Sequence, residues 1–217
     1  MQLSATPLTN GTTACKWDTV IPFDPMWERL NKLIKPNGAI VLFWSEPFSS
    51  ALRMSNIKKY KYDWIWEKSR PTLFQHCNRL PLKDNECISV FNWNIYYPQW
   101  LVAKKTNVKR SSWWDTFWKN WNSSNEYISE FTNYPRRILK IWSVWKTVHP
   151  TQKPIALMEY LIKTYTNEWE LVLDFTCGSW STLVAAQNTW RRFIGIELDE
   201  NYFNIWCERI NNLINNK

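Results

Sequence analysis

The run Val172-Leu173-Asp174-Phe175-Thr176-Cys177-Gly178-Ser179-Trp180-Ser181-Thr182 carries the most chemistry in the chain. An apolar strand pattern ends in an acid, a tight loop of small residues follows, and a helical pattern begins. In a doubly wound fold this arrangement presents backbone N–H groups and a carboxylate to a ligand at the strand ends. Glu197 stands twenty-three residues after Asp174, at the tip of the next strand pattern, Phe193-Ile194-Gly195-Ile196. A carboxylate there is placed to accept hydrogen bonds from ribose hydroxyls. Strand, loop, helix, strand and acid form a moderately specific nucleoside signature, although an ordinary βαβ unit with polar strand ends has the same outline.

Such a loop needs a parallel sheet to hold it, and the flanking sequence predicts one. Asp24 to Lys35 places Met26, Trp27, Leu30, Leu33 and Ile34 at helical spacing and stops at Pro36-Asn37-Gly38. Gly38 to Phe43 is a continuous β-branched run, the pattern of a strand covered on both faces. Pro47 to Ile57 reads as a helix and Tyr60 to Glu67 as a strand. From about 71 to 145 the chain turns rich in Asn, Ser, Trp and basic residues, with one clear strand at Cys87 to Phe91, and reads as an insertion. Regular patterning then resumes: helix Lys153 to Tyr165, strand Leu171 to Phe175, helix Ser181 to Gln187, strand Arg192 to Ile196 and helix Glu200 to Ile214. The expected class is α/β, a doubly wound, mostly parallel sheet made of 1–70 and 146–217 and interrupted by an irregular 71–145.

Composition narrows the possibilities. Of 217 residues, 45% are hydrophobic and 21% charged, the balance of a globular chain rather than a disordered one. The longest apolar run, Ala39 to Trp44, is far too short for a membrane span, and the N-terminus lacks the pattern of a secretory signal. A cytoplasmic location and no membrane partner are expected. Five cysteines form no C-x-x-C pair and there are only two histidines, which argues against a zinc cluster or a disulfide framework. The net charge of +8 favours a polyanionic partner without identifying one.

Four glycines against seventeen tryptophans is an anomaly that no packing argument explains. Trp169, Trp180 and Trp190 sit in polar turns or a tight loop where the backbone needs glycine's freedom. Exchanging thirteen tryptophans (44, 93, 100, 113, 114, 118, 121, 142, 145, 169, 180, 190 and 206) for glycine makes both counts ordinary. The sequence therefore reads as the product of a gene in which UGA encodes glycine but was translated as tryptophan.

VLDFTCGSWST followed by FIGIELDENYF resembles the cofactor loop and ribose acid of the site-specific DNA amino-methyltransferases, the N6-adenine and N4-cytosine DNA methylases. His149-Pro150-Thr151-Gln152-Lys153-Pro154 resembles the family's motif ahead of the cofactor strand, and Gly11 to Asp18 the segment after its catalytic tetrapeptide. Lys35 to Lys68 and Tyr134 to Lys140 are also family-like. The order resembles the permuted class, with catalytic half first, target-recognition insertion in the middle and cofactor half last. The resemblance implies a Rossmann-like fold and methyl transfer from S-adenosyl-L-methionine to an exocyclic base amine, adenine N6 first and cytosine N4 second, without a metal. It assigns the cofactor to Asp174, Phe175, Thr176, Cys177, Gly178, Ser179, Thr182 and Glu197, with Thr151 and Lys153 beside its methionine end. Double-stranded DNA is the implied partner, with Lys104, Lys105, Lys109, Arg110, Arg136 and Arg137 as phosphate contacts. A restriction endonuclease partner is compatible with this reading.

Two departures stand against it. The family holds the amine with Asp-Pro-Pro-Tyr or a close variant, whereas this chain has Pro7-Leu8-Thr9-Asn10 ahead of Gly11, so no catalytic residue is assigned. Trp180 replaces the second glycine of the cofactor loop. The first departure has a reading-frame explanation: codons for Ala5 to Thr9, read from the third base, can give Asp-Pro-Pro-Tyr, which would make the N-terminus incomplete. The rival readings are a remnant of the family that binds DNA without catalysis, and a methyltransferase acting on a small molecule or a protein.

Overall fold

The computed structural model describes residues 2–4, 21–92, 95–109, 126–147, 152–178, 180–204 and 207. They fall into two units, one formed by 1–97 and 137–217, the other by 98–136.

The larger unit contains the strands β1 (Gln2–Ser4), β2 (Ile40–Trp44), β3 (Tyr60–Thr72), β4 (Lys83–Phe91), β7 (Ile138–Lys140), β8 (Leu171–Asp174) and β9 (Arg192–Gly195). They form a seven-stranded sheet of order β7-β3-β4-β2-β1-β8-β9. β1 lies inside the sheet, parallel to β2 and β8, and β9 continues the parallel set beyond β8. β4 alone runs the other way, pairing antiparallel with both β2 and β3. The sheet is thus mostly parallel, as the sequence predicts.

β2 shows why its sequence is apolar throughout. Ile40, Leu42 and Trp44 point to one face, against Met26, Trp27 and Leu30 of helix α1 (Phe23–Leu33) and Leu52 of helix α2 (Phe48–Ser55). Ala39, Val41 and Phe43 point to the other, against Leu157, Met158 and Leu161 of helix α3 (Ile155–Tyr165) and Ala185 and Ala186 of helix α4 (Ser181–Asn188). Every β2 side chain is buried, each contributing about 1.5–3 kcal/mol. Helices on both faces make this the doubly wound class.

The stretch 71–145 contributes to both units. β3 runs on through Pro71 to Thr72, β4 begins at Lys83, and β7 returns beside β3, pairing Trp66 with Leu139. The polar start of β4, Lys83 to Glu86, lacks a strand's apolar alternation, and its Glu86 is held by ion pairs. The smaller unit holds a two-stranded antiparallel sheet, β5 (Val102–Lys109) with β6 (Glu126–Thr132). Of the predicted final helix, helical turns are described at 200–204 and at 207; its remainder lies outside the described residues.

The tryptophans divide into two groups. Trp27, Trp64 and Trp66, three of the four kept as tryptophan by the glycine reading, are buried with their indole N–H groups bonded. Trp27 donates to Ser55 Oγ at 2.8 Å, Trp64 to Tyr165 Oη at 2.6 Å and Trp66 to the Ile141 carbonyl at 2.9 Å. Among the other thirteen, Trp100, Trp142, Trp145, Trp169 and Trp190 are all more than half exposed, and the buried Trp44 indole N–H has no hydrogen-bond partner among the described residues. Trp100, Trp169, Trp180 and Trp190 have φ of 61°, 66°, 64° and 60°, the left-handed region that favours glycine.

Candidate cofactor-binding site

The parallel strands β1, β2, β8 and β9 deliver their carboxyl ends to one edge of the sheet, where α/β folds bind ligands. Asp174 ends β8 there, fully buried, and Leu3 of β1 is its register partner. Asp174 Oδ1 accepts the Thr176 N–H at 3.1 Å and its carbonyl accepts the Ile196 N–H at 2.9 Å, which holds the start of the loop against the end of β9. The Cys177 N–H and Sγ both donate to the Ile196 carbonyl, at 3.1 and 3.0 Å. Burial, together with the Asp174 and Glu197 charges, pushes the Cys177 thiol well above its ordinary value, so it stays a protonated donor.

Glu197 sits two residues past β9 and organises the loop. Its Oε2 accepts the Gly178 N–H at 2.7 Å, while Oε1 accepts the N–H groups of Leu198 and Asp199 at 2.9 and 3.0 Å. Asp199 Oδ1 in turn accepts from Asn201 and Tyr202 at the start of the last helical segment, a cap that sequence reasoning missed although an acid just ahead of a helical pattern signals one. Phe175 turns to the opposite face of the sheet and packs against the α1/α2 core. Thr182 is fully buried in the first turn of α4, and its Oγ1 has no hydrogen-bond partner among the described residues.

Trp180 is the N-cap of α4, with φ 64° and ψ 20°, and it is 2% exposed. The ring packs on Cys177, Leu183 and Phe193 and lies 6.1 Å from the Phe203 ring. A Cβ placed on Gly195 would come within 2.6 Å of Trp180 Cζ3 and 2.4 Å of Leu183 Cδ1, so only glycine fits at the end of β9 beside this side chain. The loop therefore has the acid pair and an orphaned hydroxyl suited to a nucleoside cofactor, its Thr176, Cys177 and Gly178 N–H groups bonded to Asp174, Ile196 and Glu197, with an indole lodged at its helix end.

Lys153 is 2% exposed, and its ammonium lies 2.6 Å from Glu86 Oε2, with the Phe43 and Trp66 rings at 5.5 and 5.8 Å. Lys68 Nζ meets Glu86 Oε1 at 2.6 Å. Burial alone would raise the Glu86 pKa, but Lys153 and Lys68 overcome it and hold the carboxyl down to about 2. Sequence reasoning missed Glu86 and Lys68, because nothing local marks three residues so far apart as partners. Ser179 and Thr151, with the whole of 5–20, lie outside the described residues.

The basic residues are spread over both units. Lys104 and Lys105 are exposed on β5, where the register slips between Ala103↔Phe131 and Thr106↔Ser129, so the two lysines share one position opposite Glu130. Arg136 is exposed in the smaller unit, whereas Arg137 belongs to the larger one, 6.0 Å above the Tyr62 ring. Lys109 ends β5; its side chain and Arg110 lie outside the described residues.

The DNA methylase family N6_N4_Mtase matches residues 16–208. The chain belongs to that family. It is 28% identical to the type II methyltransferase M2.LlaDCHI of Lactococcus lactis subsp. cremoris over 90% of this chain and 71% of that one. The type II methyltransferase M2.DpnII of Streptococcus pneumoniae is also 28% identical, over 89% of this chain and 70% of that one. The crystal structure of an M1.HpyAVI–SAM complex superposes with a TM-score of 0.62 at 25% identity, covering 96% of this chain and 86% of that chain. The cytosine-N4-specific PvuII DNA methyltransferase shares the fold, with a TM-score of 0.62 at 15% identity over 93% of this chain and 75% of that chain. Among the described residues no group of three or more His, Cys, Asp or Glu is placed to hold a metal ion, and no helix is long and apolar enough to cross a membrane.

Proposed function

We propose that this DNA methylase uses S-adenosyl-L-methionine to methylate the exocyclic N6 of adenine in duplex DNA. The observation that carries the reading is the pairing of Leu3 with Asp174, which puts the carboxyl end of β1 beside the cofactor loop. In the family the amine-binding tetrapeptide follows that strand, so one edge of the sheet serves both the methyl donor and the flipped base. When bound, the cofactor supplies an activated methyl group on sulfur. The chain's own part is to hold it: Glu197 at the ribose, Asp174 and the Thr176 to Gly178 backbone around the loop, and Thr182 at the helix start, with Ser179, Thr151 and Lys153 toward the methionine end. Such catalysis rests on proximity and electrostatics. Adenine is favoured because DNA adenine methyltransferase YhdJ of Escherichia coli is 40% identical over 62 residues, 29% of this chain and 21% of that one. Cytosine N4 is the second reading, since the fold is shared with a cytosine-N4 enzyme.

The basic side chains Lys104, Lys105, Lys109, Arg110, Arg136 and Arg137 are the proposed phosphate contacts, and 98–136 the proposed target-recognition unit. The test uses the chain as it stands and a version carrying Pro7→Asp, Leu8→Pro, Thr9→Pro and Asn10→Tyr together with Trp180→Gly. Incubated with tritiated S-adenosylmethionine and duplex DNA, only the second is expected to transfer label, recovered on digestion as N6-methyladenine. N4-methylcytosine would establish the second reading. Cofactor binding without transfer to any DNA would leave a catalytically inactive DNA-binding remnant as the better description.

A further inference from the structure

We propose that Glu86 is a positioning residue for the cofactor site, acting through Lys153. The proposal rests on the methyltransferase reading and deepens it. Glu86 stands one residue beyond the Trp44↔Cys87 pair, at the carboxyl edge of the parallel strands, the edge at which Asp174 ends β8. There it takes an ammonium on each oxygen, from Lys68 on the neighbouring strand and from Lys153 just ahead of α3, both at 2.6 Å. Pro154 caps α3, α3 packs against α4, and α4 begins at the cofactor loop. Asn188 Nδ2 donates to Glu159 Oε1 at 2.8 Å and ties the two helices together. The one carboxylate therefore fixes where the 152–154 segment and the start of α3 sit relative to the strands of the catalytic half.

The charges make this arrangement specific. A buried ammonium without a counter-ion is costly, so removing Glu86 leaves Lys153 between the Phe43 and Trp66 rings with Lys68 and the half-buried Lys83 as its charged neighbours, both repulsive. Lys153 must then shift toward solvent or shed its proton, and either response moves the start of α3. Lys68 faces the other carboxylate oxygen and lies on the strand itself, so its loss spares the link to α3.

Calorimetric titration with S-adenosylmethionine from pH 5 to 9, in protein carrying Trp180→Gly, tests the idea beside thermal melts. Glu86→Gln is expected to weaken binding roughly tenfold or more at pH 8 while melting stays cooperative. Glu86→Asp, which returns a carboxylate to Lys153, should restore part of the affinity. Lys68→Met should lower the melting temperature and leave affinity unchanged. A Glu86→Gln protein that melts lower yet binds normally at every pH would overturn the proposal. If that variant does not fold, Lys153→Met, which leaves Glu86 paired with Lys68, carries the test: unchanged affinity would overturn it equally. Failure of the Trp180→Gly parent to bind would overturn the methyltransferase reading and this proposal with it.

A separate observation supports a second inference. Trp100, Trp169, Trp180 and Trp190 all adopt left-handed backbone, whereas Trp27, Trp64 and Trp66 are buried, bonded and free of it. A bulky residue rarely tolerates this conformation once, and four instances of one residue type have no packing cause. We infer that positions 100, 169, 180 and 190 are glycines in the protein as its own cell makes it. Peptide mass spectrometry on protein from the source organism is expected to find glycine at all four and tryptophan at 27, 64 and 66, with UGA and UGG codons respectively. Tryptophan in any of the four native peptides would overturn the inference.

Discussion

The Gly178 N–H donates to Glu197 Oε2 at 2.7 Å, so the acid two residues past one strand holds the loop that follows its neighbour. In the proposed cofactor role, a ribose hydroxyl would share that carboxylate with three backbone donors. In Trp180→Gly protein, Glu197→Ala is expected to weaken S-adenosylmethionine binding by about 1–3 kcal/mol, the range for losing a charged hydrogen-bond partner. Glu197→Gln should lose less. Calorimetric affinities that do not move would separate Glu197 from the cofactor.

Replacing the strained indoles should also stabilise the fold. Trp169 and Trp190 are exposed and belong to one turn, the Trp169 N–H donating to the Trp190 carbonyl at 2.7 Å. Each change to glycine relieves left-handed strain of about 1–2 kcal/mol and gives back part of it as unfolded-state entropy. The double variant is expected to melt at higher temperature or higher denaturant concentration. A lower midpoint would mean that the packing of the two rings on each other outweighs the strain.

Part of the acid sensitivity should trace to Glu86, beside the more exposed Glu46, whose pKa is likewise lowered to about 2. The Glu86 pKa is held down to about 2 in the fold and returns to the ordinary carboxylate range on unfolding. Its contribution to stability is therefore complete above about pH 4.5 and fades as pH falls toward 2. Urea midpoints measured across that window should drop for the parent and drop less for Glu86→Gln, which starts less stable. Parallel curves for the two proteins would assign the acid transition to another group.

Lys104 and Lys105, sharing one register position on β5, are a compact place to test DNA binding. Reversing both charges should weaken duplex binding and reduce the slope of log K against log salt by about 0.9 for each phosphate no longer neutralised. A lower affinity with an unchanged slope would show that these lysines act without touching phosphate.

The sheet was legible in the sequence where burial is apolar. Ala39 to Trp44 announced a strand covered twice because helices on both faces demand hydrophobic side chains at every position. β4 was only half visible, since Cys87 to Phe91 follows that logic while Lys83 to Glu86 is polar and ends in a charge-paired acid. Pairs such as Glu86 with Lys153 leave no local pattern, for their partners are brought together by the chain's return through β7. The loop from Asp174 to Trp180 and the place of Glu197 beside it were legible because strand, turn and acid lie within one βαβ unit. The glycine-poor turns were legible as a conflict between residue type and turn chemistry, and the positive φ angles state the same conflict in backbone terms.

The interior place of β1 has a consequence for synthesis. As the chain leaves the ribosome, β1 is made before either of its neighbours, and β2 can cover one of its sides early. Its other neighbour, β8, pairs through Leu173 and Asp174 and emerges only near the end. Until then an open row of backbone donors and acceptors runs through the nascent fold, a template for pairing with other chains. Chains stalled before residue 171 should therefore aggregate or recruit chaperones, and those released after β9 should not.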